Sequence, residues 1–303
     1  MPDLSERPEE GLFLLPGGYL DPDGNLQREG VLRPLTGREE EAAADPARGW
    51  TEATLVTALL GRCVTRIGPY RPTEPLLRSL AVGDRDYLML RLRQITFGPR
   101  VEMTLVCPRP LCAKKMDADL DLAQISVAPR PMAPHHTLTL SEAGAILDEQ
   151  GRFQREVVFR IPNGEDQEAV RGWEMLDERE RVVRLLSRCL ASPPDAVRRW
   201  STRSVEEITA AMEQQSPQVE IDMELHCPEC GGHFIHPFEI VPFFIKELLR
   251  DRGQFEREVH LLAFYYHWPL REILGLTRQK RRRYLELLTD ELERSGRSIL
   301  GRV

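Results

Sequence analysis

Long apolar runs are missing from this sequence. No stretch approaches the ~18 to 20 residues that a membrane-spanning helix needs, so a membrane-embedded protein is not expected. The opening residues, Met1 to Gly11, show no basic segment leading into an apolar one, so no secretory signal is expected either. Lysine is scarce, confined to Lys114, Lys115, Lys246 and Lys280, and arginine carries the rest of the positive charge. A formal net charge of −7 argues against a protein that binds nucleic acid with its whole surface. Catalytic signatures are absent too. There is no Walker A loop, dinucleotide-binding glycine pattern, His-Glu-x-x-His or Gly-x-Ser-x-Gly, and no His-x-Glu of the kind a zinc deaminase uses. These absences point away from an enzyme.

What is present is a repeat. The 303 residues suffice for about two ordinary domains, and 29% charged with 41% hydrophobic residues describes a folded chain. The segment Val31 to Glu40, an extended run, a Pro/Gly turn and an acidic helix start, returns as Phe159 to Glu168. A helix is expected after each copy. Leu55, Val56, Leu59, Leu60, Cys63, Val64 and Ile67 recur at helical spacing before Gly68-Pro69. Val182, Val183, Leu185, Leu186, Cys189 and Leu190 do so before Pro193-Pro194. Cys63 and Cys189 fall at matching places and read as small core hydrophobes.

Each copy then closes on a cysteine turn between two extended segments. Val101, Met103 and Leu105 alternate into Cys107-x4-Cys112, and Val219, Ile221, Met223 and Leu225 alternate into Cys227-Pro228-Glu229-Cys230-Gly231. Alternation of this kind marks half-buried strands, so each cysteine pair sits at the tip of a β-hairpin. Four thiolates are the ligand set of a closed structural zinc site, so Cys107, Cys112, Cys227 and Cys230 are the expected metal ligands. The identity of the metal, zinc or iron, is open at this stage. Free thiols or two local disulfides are the competing readings, and His226, His233 and His236 are neighbours that could stand in for a cysteine. With 114 residues separating Cys112 from Cys227, a shared site would staple the two copies together.

The C-terminal part changes character. Residues 241–303 hold 13 Lys/Arg against 9 Asp/Glu, in a chain that is otherwise strongly acidic. Phe255, Val259, Leu262, Ala263 and Tyr266 form an amphipathic stripe that Phe264, Tyr265 and Trp268 widen, and Pro269 ends that helix or begins the next. A second helix is expected over 278–293, with Arg281-Arg282-Arg283 at the end where the helix dipole disfavours cations. Tyr265, Trp268, Arg281 and Arg282 are therefore the expected partner-binding residues, since aromatics and arginine anchor protein interfaces.

The expected fold is α+β. It has two duplicated units, each a strand–turn–helix plus a zinc-knuckle β-hairpin, followed by a C-terminal helical hairpin. Its parts are an acidic N-terminal arm (1–30), a first repeat (31–128), a linker or insertion (129–158), a second repeat (159–240) and a helical segment (241–303).

Several runs resemble a known family. They are Leu15-Pro16-Gly17-Gly18-Tyr19-Leu20-Asp21, Arg33-Pro34-Leu35-Thr36-Gly37-Arg38-Glu39-Glu40 and Val82-Gly83-Asp84-Arg85-Asp86-Tyr87-Leu88 toward the N-terminus. Cys227 to Gly231, Arg257-Glu258-Val259-His260 with Tyr265-Tyr266-His267-Trp268, and Arg281-Arg282-Arg283-Tyr284 continue the likeness. Together they resemble the T-even bacteriophage baseplate-protein family, in the cysteine-containing form of phage-like contractile injection systems. The segment from His267 to Ile273 is also similar to short tail-assembly chaperones. The resemblance implies a non-enzymatic baseplate or tail-assembly protein. Its partners would be baseplate, hub or tape-measure proteins, and it would be cytoplasmic during assembly. A zinc-ribbon nucleic-acid binder using the Arg281 cluster is the alternative.

Overall fold

A computed structural model of the chain describes residues 11–147, 151–173, 175–192, 200–219 and 221–295. The first half opens with strands β1 (Leu12–Leu20) and β2 (Leu26–Leu32), helices α1 (Gly37–Ala43) and α2 (Glu52–Cys63), and strand β3 (Val64–Ile67). Helices α3 (Glu74–Ser79) and α4 (Val82–Phe97) follow, then a hairpin of β4 (Arg100–Val106) and β5 (Lys115–Asp121). The second half runs through β6 (His136–Thr139), a small hairpin of β7 (Ile146–Leu147) and β8 (Phe153–Gln154), and β9 (Glu156–Phe159). It continues with α5 (Gly164–Ala169), α6 (Glu178–Cys189), β10 (Leu190–Ser192), α7 (Thr202–Gln215) and a hairpin of β11 (Ile221–His226) and β12 (His233–Phe238). Helices α8 (Ile240–Arg250), α9 (Arg252–Tyr266), α10 (Leu270–Ile273) and α11 (Arg278–Arg294) complete the described chain.

The architecture is mixed helix and small antiparallel sheet. Each half has a three-stranded sheet, in the order β1-β2-β3 and β6-β9-β10. Helix starts are built alike in the two halves. The Thr36 N–H donates to Glu39 at 2.9 Å, and Arg33 grips the same carboxylate with two bonds of 3.2 and 3.0 Å. The Asn163 N–H donates to Asp166 at 3.0 Å, and Arg160 grips it with bonds of 2.6 and 3.0 Å. An acid three residues into a helix can thus serve its capping residue and a preceding arginine together.

Several boundaries differ from the sequence reading. Residues 12–20 and 26–32 are sheet strands and not an arm, because Phe13 and Leu15 are buried in the first core. Positions 136–159 are not only a linker, since β6 pairs along β9 from His136–Phe159 to Thr139–Glu156. The helix through Cys63 stops there, and Val64 to Ile67 pair with β2. Val64, Thr65 and Ile67 are β-branched and suit a pleated strand better than a fourth helical turn. Pro193, Pro194, Glu220 and the first ten residues lie outside the described residues.

The cores also cut across the repeat boundaries. One cluster unites β1–β3, α2 and α4 with Ile221, Met223 and Phe238 of the second hairpin, and with Phe244 and Leu248 of α8. A second cluster gathers Leu140, Val157, Phe159, Leu186, Cys189, Ile208 and Met212. Helix α4 runs through the first cluster: Leu88, Met89, Leu90, Leu92 and Arg93 are all buried. Most of the helix is covered by its neighbours, while Tyr87, Arg91 and Gln94 stay half-buried.

Candidate metal centre

Both cysteine turns fold the backbone in the same way. In the first, the Cys107 N–H donates to the Lys114 carbonyl at 2.9 Å, and Ala113 takes a left-handed φ of 45°. In the second, the Cys227 N–H donates to the Gly232 carbonyl at 2.9 Å, and Gly231 has a φ of 65°. Glycine takes that conformation without strain, whereas Ala113 pays for it with a crowded Cβ. The side chain of Arg109, in the first turn, lies where a Cβ on Gly232 would stand, so the two tips touch.

These turns bring four sulfurs together. Cys107 Sγ is 3.8 Å from Cys230 Sγ, Cys112 Sγ is 3.7 Å from Cys227 Sγ, and all four lie within 4.8 Å of one another. Disulfide sulfurs stand about 2.05 Å apart, so these are not bridges. Four sulfurs at about 2.3 Å from one tetrahedral centre would stand roughly 3.8 Å from each other. The two cross-hairpin spacings match that edge. Cys107 and Cys227 are buried, Cys112 is half-buried and Cys230 is exposed. Met116, Leu105, Leu225 and Phe234 form the apolar wall behind them.

The local field treats the thiols unequally. The Cys230 N–H pointing at its sulfur, helped by the Glu229 N–H, brings the Cys227 thiol down to about 7. Cys112 receives the Lys114 N–H, yet burial and the Cys230 and Cys227 thiols push it up to about 11. Cys227 thus forms a thiolate easily while Cys107 and Cys112 resist; a bound divalent cation would favour the thiolate form of its ligands. Among the described residues, this is the one cluster of His, Cys, Asp or Glu with metal-ligand spacing. His226 and His233 face each other at 4.9 Å between ring centres, outside the sulfur group. Cys63 and Cys189 end α2 and α6, buried in their cores, and burial raises both thiols to about 12.

The expected partner-binding residues are not gathered on one surface. Arg281 is fully buried, which corrects its expected role as an interface cation. Its guanidinium donates to Glu258 at 3.1 Å and to Glu40 at 2.8 Å, so it clamps α11 to α9 and α1. Arg282, beside it, is 55% exposed. The half-buried ring of Trp268 stacks on Tyr266 at 4.8 Å and meets Tyr284 edge-on at 4.9 Å. Tyr265 is half-buried against the exposed Phe264. Sequence reading missed Glu40 and Glu258 as the cause of the Arg281 position. Glu40 carried one signal, the acidic start of α1, and Glu258, in the middle of α9, carried none.

The runs that carried the family resemblance turn out to be joints. Asp84 accepts the Gly17 N–H at 2.8 Å and the Gly18 N–H at 2.9 Å, so two of the runs meet there. Arg85, fully buried, donates to the Leu77 and Ala53 carbonyls and to Gln167 of α5, tying the halves together. The Gly37 N–H donates to the Leu276 carbonyl, and Glu40 meets Arg281. No curated protein and no solved structure shows a significant match to this chain. The family model described as T4 bacteriophage base plate protein matches residues 25–192, more than half of the sequence. That match spans both capped helix starts and the Asp84–Arg85 joint, and the chain belongs to the T4 bacteriophage base plate protein family.

Proposed function

We propose that this protein is a non-enzymatic structural or assembly component of a contractile-tail baseplate, with a structural zinc held by Cys107, Cys112, Cys227 and Cys230. The observation that carries the reading is the convergence of two sulfurs from each hairpin at the edge lengths of a tetrahedron. Four thiolates fill such a site and leave no position for water or substrate, so the metal would hold geometry and perform no chemistry. Two parallel element orders, each ending in a cysteine hairpin, support an origin by duplication, with the zinc locking the copies at a fixed angle. The protein would then work by presenting rigid surfaces to other tail proteins. The C-terminal helices, with Tyr265, Trp268 and Arg282 at or near their surface, are the proposed contact region.

The test has two arms. Protein purified without added metal should carry about one zinc per chain by elemental analysis, and Cys230→Ser should lose it. Tagged protein recovered from producing cells should bring down tail proteins and reside in, or travel with, assembling particles. Metal-free wild-type protein with four titratable thiols would sink the first arm, and recovery without any tail protein the second.

A further inference from the structure

The buried position of Arg281 moves attention to its neighbours. Arg91 on α4 and Arg278, Lys280, Arg282 and Arg283 on α11 line one open groove of about 930 Å³, in which Glu286 is the one acidic lining residue. Five cations in one groove of a chain with net charge −7 is a concentrated exception. The charges are incompletely matched. Arg283 has Glu286 at 3.4 Å and Arg282 reaches Glu258 only at 4.0 Å, a carboxylate already held by Arg281. Among the described residues, no carboxylate lies within ion-pair distance of Arg91 or Lys280, and Arg91 donates to the neutral Gln94. Arg278 is 8% exposed, and although it meets Asp251, its Nε has no acceptor.

Two helix ends border the groove. The positive end of α11 opens on the groove. The C-terminal end of α4 borders the same groove through Thr96, Phe97 and Gly98, and Arg93 donates there to Gly98 O at 2.5 Å and to Arg100 O of β4 at 2.7 Å. Ile95 and the half-buried Phe97, whose ring already carries the Arg278 guanidinium at 4.3 Å, give the groove an apolar floor.

We propose that this groove docks an acidic segment of a neighbouring tail protein, a stretch of Asp or Glu carrying an aliphatic or aromatic side chain for the floor. The proposal deepens the baseplate reading and rests on it. Nucleic acid fits less well, because its charges continue at one per ~1.7 Å of duplex and would run onto the acidic remainder of the molecule.

Full-length protein would be titrated with a fluorescent synthetic peptide of glutamates with interspersed leucines, with its glutamine counterpart, and with a single-stranded oligonucleotide. The acidic peptide should bind, bind more weakly as salt rises, and lose about tenfold in affinity to Arg91→Glu/Lys280→Glu. Arg62→Glu, on the exposed end of α2, should bind as the wild type does. If the double variant loses its circular dichroism, Lys280→Glu alone carries the test, since Lys280 is exposed and forms no ion pair among the described residues. Equal affinity for the glutamine peptide, or no loss in the variant, overturns the proposal. Tighter binding of the oligonucleotide overturns it in favour of a polyphosphate. Copurification with tail particles but no peptide binding defeats the groove alone, whereas peptide binding without copurification defeats the baseplate reading.

Discussion

At the scale of single residues, buried charge decides which arginine matters. Arg281 is shut from water between Glu40 and Glu258, while Arg282 stands largely in solvent. Burial raises the Glu40 carboxyl even though Arg281 acts to lower it. Removing the arginine would leave Glu40 buried without its ion-pair partner and Glu258 with only Arg282, at 4.0 Å. Arg281→Ala should therefore cost about 3–5 kcal/mol in urea unfolding. Arg282→Ala should stay within ~0.5 kcal/mol, and similar midpoints for the two variants would refute the clamp. Sequence shows three consecutive arginines and cannot say which one turns inward, because that depends on an acid 241 positions away. The glycine in the Val82 to Leu88 run is a comparable case. A Cβ on Gly83 would collide with the Pro217 carbonyl, so Gly83→Ala should destabilise by ~1–3 kcal/mol through forced separation of α4 from the Pro217 strand entry.

Two acids at matching helix starts contribute to the acid response of the fold. Burial raises the Glu39 and Asp166 carboxyls, but the bonds from Arg33 and Thr36, and from Arg160, Asn163 and Arg188, outweigh it and leave both below the usual range. A folded-state value below the unfolded one means that the unfolded chain binds more protons as acid is added. Stability from these pairs is present above the unfolded carboxylate value, about 4, and is lost as pH falls through the lowered folded values. Urea midpoints should drop steeply between about pH 4 and 2, and Asp166→Asn should flatten part of that drop while lowering stability at neutral pH. A midpoint independent of pH in that window would contradict the assignment.

At the scale of elements, the hairpins were legible and the central helix was not. Cysteine spacing and alternating apolar residues are local signals, so β4–β5 and β11–β12 could be read with no knowledge of what surrounds them. Helix α4 hides Asp84, Arg85 and Arg93 along with its leucines. Its polar residues do not collect on one face, and a search for an amphipathic stripe passes over it. The hairpins themselves yield a prediction. Cys230→Ser should loosen the two tips, seen as faster amide exchange in β4–β5 and β11–β12, and leave far-ultraviolet circular dichroism of the helices nearly intact. The helices rest on their own apolar clusters and not on the sulfur centre. Loss of all helical signal on chelation would show that the metal supports the whole fold.

For the whole molecule, the C-terminal segment is not a detachable appendage. Phe244 and Leu248 of α8 belong to the same buried cluster as Leu59 and Leu88, and Phe255 of α9 lies against Gly37. Deleting 241–303 should therefore unfold the first half as well, measured as loss of the cooperative thermal transition. A folded truncated protein would mean that these helices dock from outside. Partner mapping is accordingly better done with surface substitutions than with truncation. The two capped helix starts and the two cysteine hairpins were visible in the repeated turn and cysteine motifs. The interleaving of the cores was not, because which hairpin covers which sheet is fixed by packing between distant segments.

The sulfur centre also sets a timetable for synthesis. Cys112 and its nearest counterpart Cys227 lie 115 positions apart. At about 5–20 residues per second on the ribosome, roughly ten seconds pass between their appearance. During that interval Cys107 and Cys112 form half a site, held by a hairpin whose apolar side still awaits β11, β12 and α8. A nascent chain stalled before residue 227 should therefore react with thiol reagents at both cysteines, and release past Cys230 should protect them together with the closing of the first core.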